Sequence, residues 1–227
     1  MSIWAIVPVK PLRHAKSRLA PALGNEERLA LSRDMLRTVL AALTAASGID
    51  RTLLVSRDPE ALALGRQLGA RTLSERSRFV ALRTPEGAHL SRGPSGSRRG
   101  PPIALNQALA QATKAAVGSG ASAVLVLPAD LPLVTAQDIE ALIDYVDPPP
   151  AVVLAPDRRR DGTNALLAWP PALIEYAFGE ASFDRHRTAA LNAGVRVAIC
   201  DRPGLALDLD LPEDLGLFRQ ALGGKAA

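Results

Sequence analysis

The most constraining feature of the sequence is an apolar run at residues 123–127, Ala-Val-Leu-Val-Leu, that ends in Pro128-Ala129-Asp130. Consecutive apolar residues without polar alternation are typical of a central parallel strand that is covered on both faces. A parallel neighbour is reached through a long crossover, which is usually a helix. The run therefore predicts an α/β chain in which strands and helices alternate.

The remainder of the chain shows this alternation. Asp58, followed by a proline, and Thr135, followed three residues later by Asp138, are typical first residues of helices. We expect further strands at residues 3–9, 52–56, 151–155, 164–168, 195–199 and 205–209, and helices at residues 25–47, 103–117 and from 212 onward. The order predicts a single-domain α/β fold with a mostly parallel, doubly wound sheet.

The composition is that of an ordinary globular protein. Of 227 residues, 48% are hydrophobic and 22% are charged, which excludes wholesale disorder. No apolar stretch approaches the ~20 residues of a membrane span, no secretory signal is apparent, and Cys200 has no cysteine to pair with. We expect one cytoplasmic domain over residues 1–227. A segment at residues 91–102, rich in Gly, Pro, Ser and Arg, is expected to be a flexible insertion.

The charge balance is only weakly basic. Lysine and arginine exceed the acids by 27 to 23, and aromatic residues are 4% of the chain. Few aromatic side chains leave few platforms on which bases could stack. A small anionic substrate fits this balance at least as well as nucleic acid, although the dense arginines of residues 57–99 leave a non-catalytic nucleic-acid binder as an alternative.

The first candidate site is a basic loop after the first strand. Open α/β sheets bind ligands beyond the carboxyl ends of their strands, and Lys10, Arg13, Lys16 and Arg18 follow the first strand closely. Such side chains suit phosphate oxygens. The loop carries neither the P-loop pattern nor the dinucleotide fingerprint, and a solvated basic loop is an equally good interpretation of the segment alone.

The second candidate site is a set of carboxylates. Asp130 follows the central strand directly, and Asp208 and Asp210 would share one face if residues 205–209 form a strand. Carboxylate oxygens suit Mg²⁺ bound together with substrate phosphates. The alternative is structural: Asp130 could close a turn and Asp210 could cap the last helix, with Glu213 and Asp214 as favourable first-turn charges.

A third group of polar residues lies in the last third of the chain. Gly162-Thr163-Asn164 places a hydroxyl and an amide after a turn. Ser182 can cap a helix whose free N–H groups would receive an anion, although capping alone is the simpler role.

Taken in chain order, these segments resemble the guanylyltransferases of coenzyme F-420 biosynthesis, the 2-phospho-L-lactate/phosphoenolpyruvate guanylyltransferase family. The resemblance covers nearly the whole chain, and its combination of motifs is specific, whereas each motif alone is weak. The matching stretches are Val7-Pro8-Val9-Lys10, Ala15-Lys16-Ser17-Arg18-Leu19, Leu105-Asn106, Leu127-Pro128-Ala129-Asp130-Leu131-Pro132-Leu133, Ala155-Pro156-Asp157, Asp161-Gly162-Thr163-Asn164-Ala165-Leu166, Phe178-Gly179, Ser182-Phe183, Arg185-His186 and Leu207-Asp208-Leu209-Asp210-Leu211-Pro212-Glu213-Asp214-Leu215.

The resemblance implies a nucleotide-diphospho-sugar transferase-like (GT-A-like) fold and a reaction between GTP and a small phosphorylated acid, with release of pyrophosphate. The implied partners are GTP and the phospho-acid, without nucleic acid or membrane, and a homodimer is left open. The implied roles are Mg²⁺ binding by Asp130, Asp208 and Asp210, phospho-acid binding by Lys16, Thr163, Gly179 and Ser182, catalysis by Lys16 and Asp130, and nucleotide binding by Pro8, Lys10, Arg18, Asn106 and Asn164.

Two features of the sequence depart from the family pattern. The arginine-rich stretch before Leu105-Asn106 is longer than in the family, and Ala104 stands where glycine is usual. The resemblance does not distinguish phosphoenolpyruvate, 2-phospho-L-lactate and 3-phospho-D-glycerate as acceptors. A related nucleotidyltransferase that acts on a molybdopterin or sugar phosphate is the alternative within the same class.

Overall fold

A computed structural model describes residues 1–75 and 103–223. The insertion expected at residues 91–102, and most of the arginine-dense segment 57–99, lie outside the described residues. Within them the strands are β1 (Ile3–Pro8), β2 (Ile49–Ser56), β3 (Arg71–Ser74), β4 (Ala123–Val126), β5 (Ala151–Pro156), β6 (Thr163–Trp169) and β7 (Arg196–Ile199). The α-helices are α1 (Asn25–Ala45), α2 (Pro59–Gln67), α3 (Ile103–Gly118), α4 (Ala136–Asp144), α5 (Ser182–Asn192), α6 (Pro203–Ala206) and α7 (Pro212–Gly223).

The strands form one seven-stranded sheet in the order β3-β2-β1-β4-β6-β5-β7. Neighbouring strands are parallel except that β6 runs antiparallel to both β4 and β5. The prediction of a mostly parallel sheet is therefore confirmed. Because β6 is reversed, its first residues, Thr163 and Asn164, lie at the same edge as the carboxyl ends of β1 and β4.

The core lies in two layers, one on each face of the sheet. Ile3, Ala5 and Val7 of β1 pack into one layer with apolar residues of α1, α2 and α4. Trp4 and Ile6 of the same strand pack into the other layer with residues of α3 and α5. A strand whose alternate side chains are buried on both faces explains why β1 and β4 are continuously apolar.

Capping residues in the sequence explain where α2 and α4 begin. The Thr135 hydroxyl accepts a hydrogen bond from the Asp138 amide, and the Asp138 carboxylate accepts one from the Thr135 amide, so a capping box begins α4 as predicted. The Asp58 side chain likewise caps α2. The predicted range 25–47 contains α1, which starts at Asn25 with Gly24 as its cap. Among the described helices, none is both long and apolar enough to span a membrane.

The strand predicted at residues 205–209 is wrong. Residues 203–206 form the short helix α6, and the following residues are irregular. The Asn164 side-chain amide donates to the carbonyls of Leu205 and Ala206 at 2.9 and 3.3 Å, and the Leu209 amide donates to the Asp130 carbonyl at 3.2 Å. These contacts satisfy backbone groups that a strand would have paired with a neighbour, so the segment crosses the sheet edge instead of joining the sheet.

Candidate active site

Lys16 lies at the centre of the site. Its backbone is left-handed, with φ 56° and ψ 34°, a conformation that costs a residue with a β-carbon roughly 1–2 kcal/mol. Its side chain is 6% exposed, and its Nζ atom donates to Oδ2 of Asp130 at 2.8 Å and to Oδ1 of Asp210 at 2.7 Å. The loops after β1 and β4 and the segment before α7 therefore meet at one buried ammonium group.

The two ion pairs keep Lys16 and its carboxylate partners charged although burial disfavours charged groups. Burial by itself disfavours the charged ammonium, but Asp130 and Asp210 outweigh it and raise the pKa of Lys16 above its usual range. Burial would likewise raise the pKa of Asp210, but the Lys16 ammonium, helped by Lys10 and Arg18, lowers it below its usual value. Lys16 is therefore charged and Asp210 is ionised.

Asp208 has a different electrostatic environment. Its pKa is raised to about 6, first by burial and then by the negative charges of Asp130 and Asp210. The Asn164 amide lies 3.5 Å from its Oδ1 atom and partly opposes this shift. The structure brings Asp130 and Asp210 to one ammonium group and places Asp208 within reach of their charges, although the predicted alternation along a strand is not what brings them together.

The donor atoms that could hold a metal are carboxylate oxygens. Within residues 1–75 and 103–223, no three His, Cys, Asp or Glu side chains are grouped closely enough to hold a metal by themselves. Mg²⁺, however, is commonly bound by one or two carboxylates together with waters and substrate phosphates. Asp130 and Asp210 already converge on one cationic group, so the donor set fits Mg²⁺ accompanied by phosphate.

A cavity of about 380 Å³ opens beside these residues, within the usual size range of small-molecule sites. Predicted residues that line it are Pro8, Lys10, Lys16, Asp130 and Asp210. Others that sequence reasoning missed are Ser32, Met35, Arg57 and Glu75. Burial raises the pKa of the Glu75 carboxyl, against the opposing charge of Arg57. The missed residues come from α1 and from the ends of β2 and β3, and no local motif identifies them.

Thr163 and Ser182 form a second, buried polar group. Ser182 is the first residue of α5 and Ala181 is its cap, so the predicted capping role of Ser182 is wrong. Its Oγ atom instead accepts a hydrogen bond from the Thr163 amide at 2.9 Å. The Ser182 amide donates to the carbonyl of Gly179, whose φ of 128° favours glycine. The structure thus brings together three of the residues expected to hold the phospho-acid.

The two asparagines expected near the nucleotide are engaged elsewhere. Asn106 donates to the carbonyl and accepts from the amide of Phe178, at 3.3 and 3.0 Å. Asn164 holds α6 beside Asp208. Both amides therefore position neighbouring backbone segments of the site, and neither residue lines the cavity. Arg18 also lies outside the lining, although its charge reaches Asp210.

Asp214 positions the backbone that precedes α7, a role that the sequence pattern did not predict. It is 2% exposed, and its Oδ2 atom accepts hydrogen bonds from the amides of Asp210 and Leu211 at 3.1 and 2.7 Å. Its other oxygen accepts from Arg158 at 2.7 Å. Asp214 therefore holds the two backbone amides that lead into α7, and the Asp210 carboxylate is bonded to Lys16. An acid in the first helical turn was the available signal.

The fold has clear counterparts among solved structures. A protein of Desulfovibrio desulfuricans described as a nucleotide-diphospho-sugar transferase superposes with a TM-score of 0.70 at 15% identity, over 97% of this chain and 88% of that one. The sheet, with a basic loop facing acidic residues at its edge, therefore has a nucleotide-diphospho-sugar transferase-like fold.

Sequence comparison specifies the family. A family model described as "Guanylyl transferase CofC like" matches residues 3–83 and 102–223. A phosphoenolpyruvate guanylyltransferase of Rubrobacter xylanophilus is 43% identical, over 99% of this chain and 96% of that protein. A 2-phospho-L-lactate guanylyltransferase of Methanothermobacter thermautotrophicus is 34% identical, over 95% and 83%. The chain belongs to the CofC-like guanylyltransferase family, as the resemblance predicted, and is an enzyme of the nucleotidyltransferase class.

Proposed function

We propose that the protein couples GTP to a small phosphorylated acid, phosphoenolpyruvate in the first place and 2-phospho-L-lactate as the second candidate, in cytoplasmic coenzyme F-420 biosynthesis. The order of the acids follows the names of the relatives at 43% and 34% identity. The observation that carries the proposal is the buried Lys16 ammonium between Asp130 and Asp210, beside a cavity of about 380 Å³. Family membership makes the non-catalytic nucleic-acid binder the weaker alternative.

GTP is assigned to the cavity. Pro8 and Lys10 line it at the end of β1, and Lys10 and Arg18 both contribute positive charge at Asp210. Lysine offers a compact charge to phosphate oxygens, and arginine offers two parallel donors. We therefore assign the triphosphate to the side of the cavity that carries Lys10 and Lys16.

The phospho-acid is assigned to Thr163, Gly179, Ser182 and Lys16. The first three meet at the start of β6 and α5, and Lys16 lies at the end of the sheet where β6 begins. Hydroxyl and ammonium groups donate hydrogen bonds, as phosphate and carboxylate oxygens require. The acid would then lie next to the reacting phosphate of GTP.

The reaction needs alignment and neutralisation of charge more than a protein nucleophile. A phosphate oxygen of the acid forms a bond to the α-phosphorus of GTP, while the bond from that phosphorus to the bridging oxygen breaks and pyrophosphate leaves. Two of the three N–H donors of Lys16 bond to Asp130 and Asp210, and the third can donate to an approaching phosphate oxygen and help to hold it in line. Asp130, Asp208 and Asp210 would hold Mg²⁺, which when bound supplies further positive charge to the phosphates.

The test follows pyrophosphate release with GTP, Mg²⁺ and each acid in turn. Phosphoenolpyruvate is expected to support release, 2-phospho-L-lactate to do so less efficiently, and 3-phospho-D-glycerate, pyruvate and lactate to act as controls. ATP and CTP replace GTP in parallel reactions. The proposal is wrong if GTP gives no release with either of the two favoured acids, or if a sugar phosphate or molybdopterin acts as the better acceptor.

A further inference from the structure

His186 is a buried side chain that contacts Thr163, one of the residues of the proposed phospho-acid site. It is fully buried, and its Nδ1 atom lies 2.9 Å from Oγ1 of Thr163. Its Nε2 atom accepts a hydrogen bond from the Ala177 amide at 2.9 Å. The ring also packs edge-on against Phe178, with 4.8 Å between ring centroids. Both ring nitrogens are therefore engaged within the protein.

The Ala177 contact determines which nitrogen carries the proton. A backbone amide can only donate, so Nε2 must be the unprotonated acceptor, and a neutral ring then carries its proton on Nδ1. Burial lowers the pKa of His186 to about 4, which agrees with a neutral ring at physiological pH. The Nδ1–H group accordingly donates to Thr163, whose Oγ1 atom is the acceptor.

The hydrogen bonds that the Thr163 and Ser182 hydroxyls accept determine whether these groups can donate to a ligand. Thr163 accepts from His186, and Ser182 accepts from the Thr163 amide. Each hydroxyl has an acceptor lone pair filled by the protein and keeps its own proton for donation. Two neighbouring hydroxyl protons that are free to donate suit a phosphate or carboxylate oxygen.

We infer that His186 is a positioning residue that holds the Thr163 hydroxyl as a donor toward the phospho-acid. The inference rests on the proposed function, because the acid is the ligand assigned to Thr163. His186 acts through Thr163 and touches no reacting atom.

Two substitutions separate this role from a packing role. The Nδ1 atom is attached to Cγ, as the amide nitrogen of asparagine is, whereas Nε2 lies one bond further out, as the amide group of glutamine does. His186→Asn therefore keeps a donor for Thr163 and loses the acceptor for Ala177. His186→Gln keeps the acceptor and loses the donor. Both variants lose the ring contact with Phe178, and asparagine, which is one methylene shorter than glutamine, leaves the larger gap, so a purely packing role would make the Asn variant the worse of the two.

The steady-state experiment measures KM for each substrate in the two variants. His186→Gln should raise KM for phosphoenolpyruvate about five- to tenfold, the effect of one hydrogen bond, while leaving KM for GTP nearly unchanged. His186→Asn should retain most of the affinity for the acid. Thr163→Val should resemble His186→Gln, and the double variant should be no worse than Thr163→Val alone. Equal effects of the Asn and Gln variants, or equal effects on both substrates, would overturn the inference.

A second measurement uses the unsubstituted protein, so it does not depend on how the variants fold. Nitrogen-15 NMR of histidine side chains distinguishes the two neutral tautomers, and the signal of His186 is the one lost in His186→Asn. A proton on Nδ1 is expected, and a proton on Nε2 would overturn the inference. If the wild-type enzyme transferred guanylyl to neither acid, the proposed function would fail, and the tautomer would still decide the His186–Thr163 arrangement.

Discussion

Lys16→Met removes the positive charge at the centre of the site while retaining a long side chain. In the wild-type protein one ammonium with 6% exposure pairs with both Asp130 and Asp210. Burial, together with the charges of these two carboxylates, raises the pKa of the nearby Asp208 to about 6. Without Lys16, these carboxylates repel one another in a partly buried place. We expect the metal-free variant to be less stable than the wild-type protein.

The size of the effect follows from the burial of the partners. Removing one member of a fully buried ion pair costs about 3–5 kcal/mol. Here the side chains of Asp130 and Asp210 remain 31% and 40% exposed, so water compensates for part of the loss and the expected value is about 2–3 kcal/mol. In a chain of this length each kcal/mol lowers Tm by about 2–4 °C, so Tm should fall by roughly 4–12 °C.

Differential scanning calorimetry in excess EDTA measures this change, and the same scan with Mg²⁺ completes the test. Added Mg²⁺ should raise the Tm of Lys16→Met more than that of the wild-type protein, because in the wild type the ion competes with the ammonium for the same carboxylates. Lys114→Met, an exposed substitution on α3, is the matched control and should keep the wild-type Tm. A Tm for Lys16→Met within about 1 °C of wild type in EDTA would refute the reasoning.

Three further perturbations test other parts of the molecule. Asp130→Asn should abolish guanylyl transfer, measured by pyrophosphate release, while far-ultraviolet circular dichroism remains that of the wild type, because the amide is a poor Mg²⁺ ligand. Gly204→Ala would place its β-carbon 2.0 Å from Oδ2 of Asp138 and 3.0 Å from a backbone oxygen, and should lower the free energy of unfolding in urea by about 1–3 kcal/mol. Because burial lowers the pKa of His186 from 6.5 to about 4, its contribution to stability should be complete above pH 6.5 and lost as pH falls through about 4, measured as the difference in free energy of unfolding between wild type and His186→Gln.

Each of these three predictions has a result that would contradict it, and the glycine substitution also has a matched control. Gly216→Ala, in open space on α7, should be neutral or slightly stabilising, and a Gly204→Ala variant equally stable would contradict the packing argument. A difference between wild type and His186→Gln that is constant between pH 6.5 and 4 would contradict a buried neutral imidazole. Near-normal turnover of a folded, magnesium-saturated Asp130→Asn would remove Asp130 from the metal site.

Local patterns predicted those parts of the fold that local forces determine. The apolar run before Asp130 predicted β4, and the Thr135–Asp138 pair predicted where α4 begins. β3 gave no comparable signal, because its four residues are partly exposed and its last residue is a serine. The reversal of β6 was not predicted either, because strand direction depends on which edges meet rather than on the composition of the strand.

The acidic segment shows where sequence patterning is insufficient. Residues 207–211 alternate apolar and polar in the manner of a strand, yet Asn164 and Asp130 bind the backbone of residues 205–209 from elsewhere in the chain. The carboxylates of Asp208 and Asp210 were still predicted as part of the site, from the shared face expected of a strand and from the family resemblance. The hydrogen bonds of Asp214 with Arg158 and of His186 with Thr163 were not predicted, because each joins residues that only the tertiary fold brings together.

The Lys16 ion pairs also constrain when the site can exist. Its two partners lie 114 and 194 positions further along the chain. During synthesis at about 5–20 residues per second, the roughly 80 positions between Asp130 and Asp210 take about 4–16 s to follow. Throughout that interval the lysine has at most one of its carboxylates, and the second arrives only with the segment that precedes α7. The two ion pairs are therefore complete only after the segment before α7 has been synthesised, and a nascent chain would gain the proposed affinity for metal and phosphate no earlier than that.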